Sequence, residues 1–175
     1  LSTQREVESL LTPQPPQTFQ KDDLLLTYPG SWTDLSRETC EQINQPELGL
    51  ECLLAIGHPS GDGTNINLIR LSLGFELTPE SADELMWASF ESSTSDVDLE
   101  SRDIVEIDGQ QAVRRVFSVP SSKASDGRAH ILLVYLVNGP SVYQFTGWTP
   151  SADALSQHRS EIEEIIAGAH FGAIP

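Results

Sequence analysis

Positive charge is scarce in this chain: 10 lysines and arginines face 26 aspartates and glutamates, a formal net charge of −16. Phosphate backbones and anionic headgroups are held by clustered basic residues. Nucleic acid is therefore not an expected partner, and a membrane is to be reached only through an anchor upstream of this sequence. No apolar run approaches the ~20 residues that a spanning helix requires. The signatures of chemistry are missing too: there is no GxSxG, no HExxH, no complete phosphate or calcium loop, and no CxxC. Carboxylates are so plentiful that no single pair stands out as an acid/base couple. The expectation is a protein that is not an enzyme, with no cofactor and no resident metal.

What is present looks globular. Hydrophobic residues make up 38% and charged residues 21%, far from a disordered composition, and 175 residues suffice to bury a core. The chain begins at Leu1, and the expectation is a mature or truncated form with any signal peptide or lipid-attachment cysteine upstream. Residues 1–21 read as a flexible Pro/Gln-rich linker, because Pro13, Pro15 and Pro16 forbid a helix and favour extended backbone. Residues 22–175 read as a single domain. The two cysteines, Cys40 and Cys52, are an even pair and a candidate disulfide, as found in exported proteins. The alternative is two reduced, partly buried thiols.

Along the chain, Asp22 to Tyr28 reads as a strand that Pro29-Gly30 ends, and Trp32 opens a further extended piece. Residues 36–48 are polar and ambiguous. Gly49 to Ile56 reads as a strand, and Asn65 to Leu73 alternates like a central strand covered on both sides. Two helices open with Thr-Pro, at Thr78 and Thr149, where Thr caps and Pro takes the first turn. The first is expected to send Leu85, Met86 and Phe90 inward. The second places Leu155, His158, Ile162, Ile165, Ile166 and Ala169 on one stripe. Between them lie four strands in two hairpins, marked by Asp108-Gly109 and Asn138-Gly139. The fold class is α+β, a central antiparallel sheet of about six or seven strands flanked by helices.

Two stretches are candidate binding sites. The loop Gly57 to Thr64 carries His58 and Asp62 among glycines, yet a plain strand connection accounts for the same residues. The segment from Glu91 to Asp108 holds seven acidic residues, among them Asp96, Asp98, Glu100 and Asp103, and is a candidate docking face for a basic partner as well as a solvated face. His158 reads as a core histidine. Trp32 and Trp148 each follow a glycine-containing turn and read as core.

LLLTYPGSW (Leu24 to Trp32) resembles the opening strand and "yPxxW" corner of the PsbP-like superfamily, in its PsbP, DcrB and LpqN types. The hairpin IDGQQAVRRVFSV is similar to that family's "i.G..a.r..y" element. VYQFTGWTP followed by a helix ending IIAGAHF is similar to its close, with His170 where the family usually carries Ser. The pattern spans about residues 22–172. It implies an α/β/α sandwich of the exported bacterial branch, a lipoprotein or lumenal module without catalysis that binds another protein or stabilises an assembly. The partner would present a basic face, and the location would be extracytoplasmic, in a bacterial periplasm, a lumen or at the cell surface. The rival reading is a small-ligand or metal-binding protein, weakly hydrolytic, built on the 57–64 loop.

Overall fold

The computed structural model describes residues 13–172 of the chain. Ten strands and three helices occur among them: β1 Gln17–Lys21, β2 Leu24–Tyr28, β3 Thr33–Asp34, α1 Ser36–Ile43, β4 Leu50–Gly57, β5 Asn65–Ser72, α2 Pro79–Ser93, β6 Asp98–Ile107, β7 Gln110–Pro120, β8 Arg128–Asn138, β9 Ser141–Thr149, α3 Ala152–Ala167 and β10 His170–Phe171. Seven strands form an antiparallel sheet in the order β3-β4-β5-β9-β8-β7-β6, and β1-β2-β10 form a smaller one.

Alternation along the strands explains the layers. Ile66 and Leu68 of β5, Leu132 and Val134 of β8, and Phe145 of β9 point to one face. There they meet Leu24 and Leu26 of the small sheet and Ile162, Ile165 and Ile166 of α3. The other face presents Phe117, Ile131, Leu133, Tyr135 and Val142, packed beneath Ala82 and Trp87 of α2. The result is an α+β sandwich with helices on both faces. Close approach of α3 depends on Gly147, where an added Cβ would lie 2.7 Å from Ile162 Cγ2.

Several elements differ from the sequence reading. Gln17–Lys21, assigned to the linker, forms β1 and pairs with β2 over five residues. Phe19 packs on the core, which is why an otherwise polar QTFQK segment is held. Residues 1–12 of that linker lie outside the described residues. The ambiguous stretch after Leu35 is α1, whose buried residue is Cys40. Cys40 and Cys52 are disulfide-bonded with Cα atoms 5.0 Å apart, joining α1 to β4. In α2, Met86 and Phe90 pack on the core as expected, whereas Leu85 is exposed and the buried positions are Ala82, Asp83 and Trp87. Thr78 caps α2 by accepting from the Ser81 amide. The cap of α3 is Ser151, which accepts from the Ala154 amide, while the Thr149 hydroxyl donates to the His130 carbonyl. Trp32 is 1% exposed. Trp148 is only half-buried, at the margin of the core cluster beneath α2.

The Pro29-Gly30 corner has a clear role. The Trp32 amide donates to the Pro29 carbonyl at 3.1 Å, closing a turn that drops the indole into the core. A Cβ on Gly30 would collide with the Pro15 carbonyl, and the Gln17 side chain donates to the Gly30 carbonyl.

Candidate functional site

The loop from His58 to Thr64 is ordered by its own hydrogen bonds. The His58 amide donates to the Thr64 carbonyl at 2.8 Å, and the Thr64 amide donates to Asp62 Oδ1 at 2.8 Å. The Ser60 amide donates to His58 Nδ1 at 3.0 Å, so the ring carries its proton on Nε2. That Nε2 sits 3.1 Å from Glu161 Oε2, one turn along α3 from His158. The other Glu161 oxygen accepts from the Trp32 indole at 2.7 Å. His158 Nε2 in turn lies 3.1 Å from Asp62 Oδ2.

The loop and the helix thus interlock. The rings of His58 and His158 are 4.0 Å apart between centroids, and Trp32 meets His58 edge-on at 5.1 Å. His158 is buried on the apolar stripe, whereas Asp62 and Glu161 lie toward solvent with side chains 31% and 37% exposed. Partial burial would raise the Asp62 carboxyl, but hydrogen bonds from Thr64, Ser60 and His158 outweigh it and hold the group down at about 2. Asp62 is therefore an anion at neutral pH, and His158 donates to it.

Two imidazoles and two carboxylates in contact can accept a cation or pass a proton. Ligand atoms of His58, His158 and Glu161 all fall within 4.8 Å of one another. Of the loop residues anticipated from sequence, both His58 and Asp62 enter this cluster. His158, anticipated as core, and Glu161, unremarked, supply the rest. No sequence spacing signals the group, since its halves are about a hundred residues apart.

The four acids of the second candidate stretch do not share one environment. Asp96 pairs with Arg128 at 2.8 Å, and Asp103 pairs with Arg114 at 3.1 Å. Asp98 and Glu100 stand exposed on β6. That strand is ten residues long and closes one end of the large sheet, where β7 is its sheet partner among the described residues. Leu99 and Ile104 are exposed on it as well.

A second charged group lies under α2. Asp83, fully buried, accepts from Arg115 Nε at 2.6 Å and Nη2 at 2.8 Å, and from Arg102 Nε at 2.9 Å. The Arg115 guanidinium rests 4.3 Å from the Trp87 ring centroid. Both oxygens of the buried Asp83 are engaged by guanidiniums, which marks the group as structural.

No family model and no curated protein sequence matches the chain. The described residues adopt a PsbP-like fold, shared with several solved structures. The chain is similar to cyanobacterial PsbP (CyanoP) of Synechocystis sp. PCC 6803, with a TM-score of 0.64 at 16% identity over 93% of this chain and 95% of that one. It is also similar to the Ran-binding protein Mog1p of Saccharomyces cerevisiae, with a TM-score of 0.57 at 9% identity over 91% and 96%. LpqN of Mycobacterium tuberculosis, involved in cell envelope biogenesis, aligns with a TM-score of 0.54 at 11% identity over 93% and 90%.

Proposed function

We propose that this chain is a non-enzymatic, extracytoplasmic interaction module that docks a basic segment of a partner protein along β6. The observation that carries the reading is the edge position of β6, which among the described residues is paired on one side only. Asp98 and Glu100 flank the exposed Leu99, and Ile104 lies farther along the same strand. An extended partner strand can satisfy the free backbone groups of such an edge, and acids there both discourage self-pairing and select a basic partner. The net charge of −16 favours the same sign of partner. Among chains of this fold, Mog1p is a Ran-binding protein, a precedent for protein recognition on the scaffold. An oxidising location agrees with the Cys40–Cys52 bond, since disulfides persist outside the cytosol.

The test is affinity capture from native extract with the wild-type chain, the double variant Asp98→Lys/Glu100→Lys, and a control Glu47→Lys away from β6. A partner retained at low salt by wild type and control should be lost by the double variant. It should also weaken as salt shortens the ~10 Å screening length of 0.1 M. Equal recovery by all three chains would overturn the docking site. Turnover of a hydrolase substrate panel, abolished by His58→Ala, would overturn the non-enzymatic reading.

A further inference from the structure

We propose that His58, His158 and Glu161, closed by Asp62, form a binding site for a divalent transition-metal ion of the zinc type. This stands apart from partner docking along β6 and does not depend on it. The distances carry the proposal. A tetrahedral ion with ligands at ~2.0–2.2 Å sets neighbouring donors ~3.3–3.6 Å apart. His58 Nε2 and Glu161 Oε2 are 3.1 Å apart, and so are His158 Nε2 and Asp62 Oδ2. Each imidazole–carboxylate pair thus spans nearly one edge of such a tetrahedron. The donors of His58, His158 and Glu161 lie within 4.8 Å of one another, so small side-chain rotations bring them onto one ion. Two neutral imidazoles with two carboxylates carry a charge of −2, which the ion cancels. The donor set of nitrogen and oxygen suits zinc or copper and not calcium or magnesium, which take oxygen ligands.

The supporting shell is already in place. Glu161 Oε1 is held by the Trp32 indole, leaving Oε2 as the ligating atom. Thr64 fixes Asp62 through its amide, leaving Oδ2. Orientation of ligands by such partners is general in metal sites.

Binding has one structural cost, and it yields a specific signature. A metal on Nε2 requires each ring's proton to sit on Nδ1. At His58 that position accepts from the Ser60 amide, so the amide must turn away. The loop permits it: Pro59 to Gly63 is exposed, and nothing lies within 4 Å of a Cβ built on Gly61. Metal binding and loop rearrangement are therefore one event.

The experiment is titration of the metal-stripped chain with Zn2+ alone, followed by calorimetry and by nitrogen-15 NMR of histidine and amide signals. One equivalent per chain should bind, moving both ring protons from Nε2 to Nδ1 and shifting the Ser60 amide. Glu161→Gln, which keeps the Trp32 contact and the fold, should abolish the stoichiometric site. Asp62→Asn should weaken it ~10–100-fold. A circular-dichroism melt without metal confirms that both variants are folded, and Ca2+ should not compete. Weak binding of several equivalents, unchanged by Glu161→Gln, would assign the metal to surface carboxylates and overturn the proposal. Stoichiometric binding with unmoved His58 and His158 signals would overturn it as well.

Discussion

Two groups of ionisable side chains lie on opposite faces of the same sheet, and they are built on different terms. Under α2, Asp83 is enclosed by Arg115, Arg102 and Trp87, partners that stay charged or apolar at any ordinary pH. Burial pushes the Asp83 carboxyl up, but the two guanidiniums outweigh it and hold the group below its usual range. Beside α3, Asp62 and Glu161 are matched with histidines, whose nitrogens can donate, accept or ligate. In the first group the carboxylate is fully buried and both of its oxygens are held by guanidiniums. The second has the same number of carboxylates and imidazoles and opens to solvent at its acidic rim. A buried charge with invariant partners fixes the fold, whereas one with adjustable partners leaves chemistry available.

The sharpest way to break this contrast is to remove one acid from each side. Asp83→Ala should cost ~3–5 kcal/mol, because the buried Arg115 loses its counter-charge. Glu161→Gln should cost about 1 kcal/mol, since the amide oxygen still accepts from the Trp32 indole and only the His58 contact is lost. Urea unfolding at pH 7 measures both, and equal losses would mean the two groups are alike.

Trp32 tests whether the adjustable group leans on the core. Trp32→Ala should cost ~3–5 kcal/mol, as large buried aromatics do. Trp148→Ala should cost clearly less, given its incomplete burial. Similar melting temperatures for the two variants would contradict the difference in burial.

Acid titration gives the smallest effect. Both aspartates have folded-state values below their unfolded 3.8. Their stabilisation is therefore complete above about pH 4 and is lost as pH falls through the folded value, about 2 for Asp62. Asp83→Asn should remove more of the acid-dependent loss than Asp62→Asn, whose carboxylate is partly screened by solvent. Unfolding midpoints measured from pH 5 to pH 2 would show the order, and a larger effect at Asp62 would reverse it.

Local chemistry made much of this fold legible. Asp108-Gly109 takes positive φ at both residues, as a tight hairpin demands, and the alternation of β5 matches its buried Ile66 and Leu68. The helices were marked by Thr-Pro, although the cap of α3 slid two residues to Ser151. Elements that depend on distant partners were not legible. QTFQK has little strand character of its own and is held by pairing with β2. The inward turn of Asp83 and Trp87 depends on Arg115, which comes from another strand. For the same reason His58 read as a loop residue and His158 as a core residue. Only the docking of α3 against the β4–β5 loop makes them neighbours. In the acidic segment, sequence showed the charge but not that Asp96 and Asp103 are paired, whereas Asp98 and Glu100 stand without an ion pair among the described residues.

The strand order also bears on how the chain reaches this structure. From β6 to β9 each strand pairs with its immediate successor, through Asp108-Gly109, the 121–127 loop and Gly139-Pro140. Such a meander closes with little loss of chain entropy at each step and can zip up early. The join between β5 and β9 is of another kind, because α2 and three strands lie between them in sequence. Joining them brings together segments far apart along the chain, and the face that receives α3 is complete only afterwards. On this topology local assembly of the meander is expected to precede the long-range docking of β5 on β9. His58 and His158, on either side of that long-range join, are expected to meet only with it.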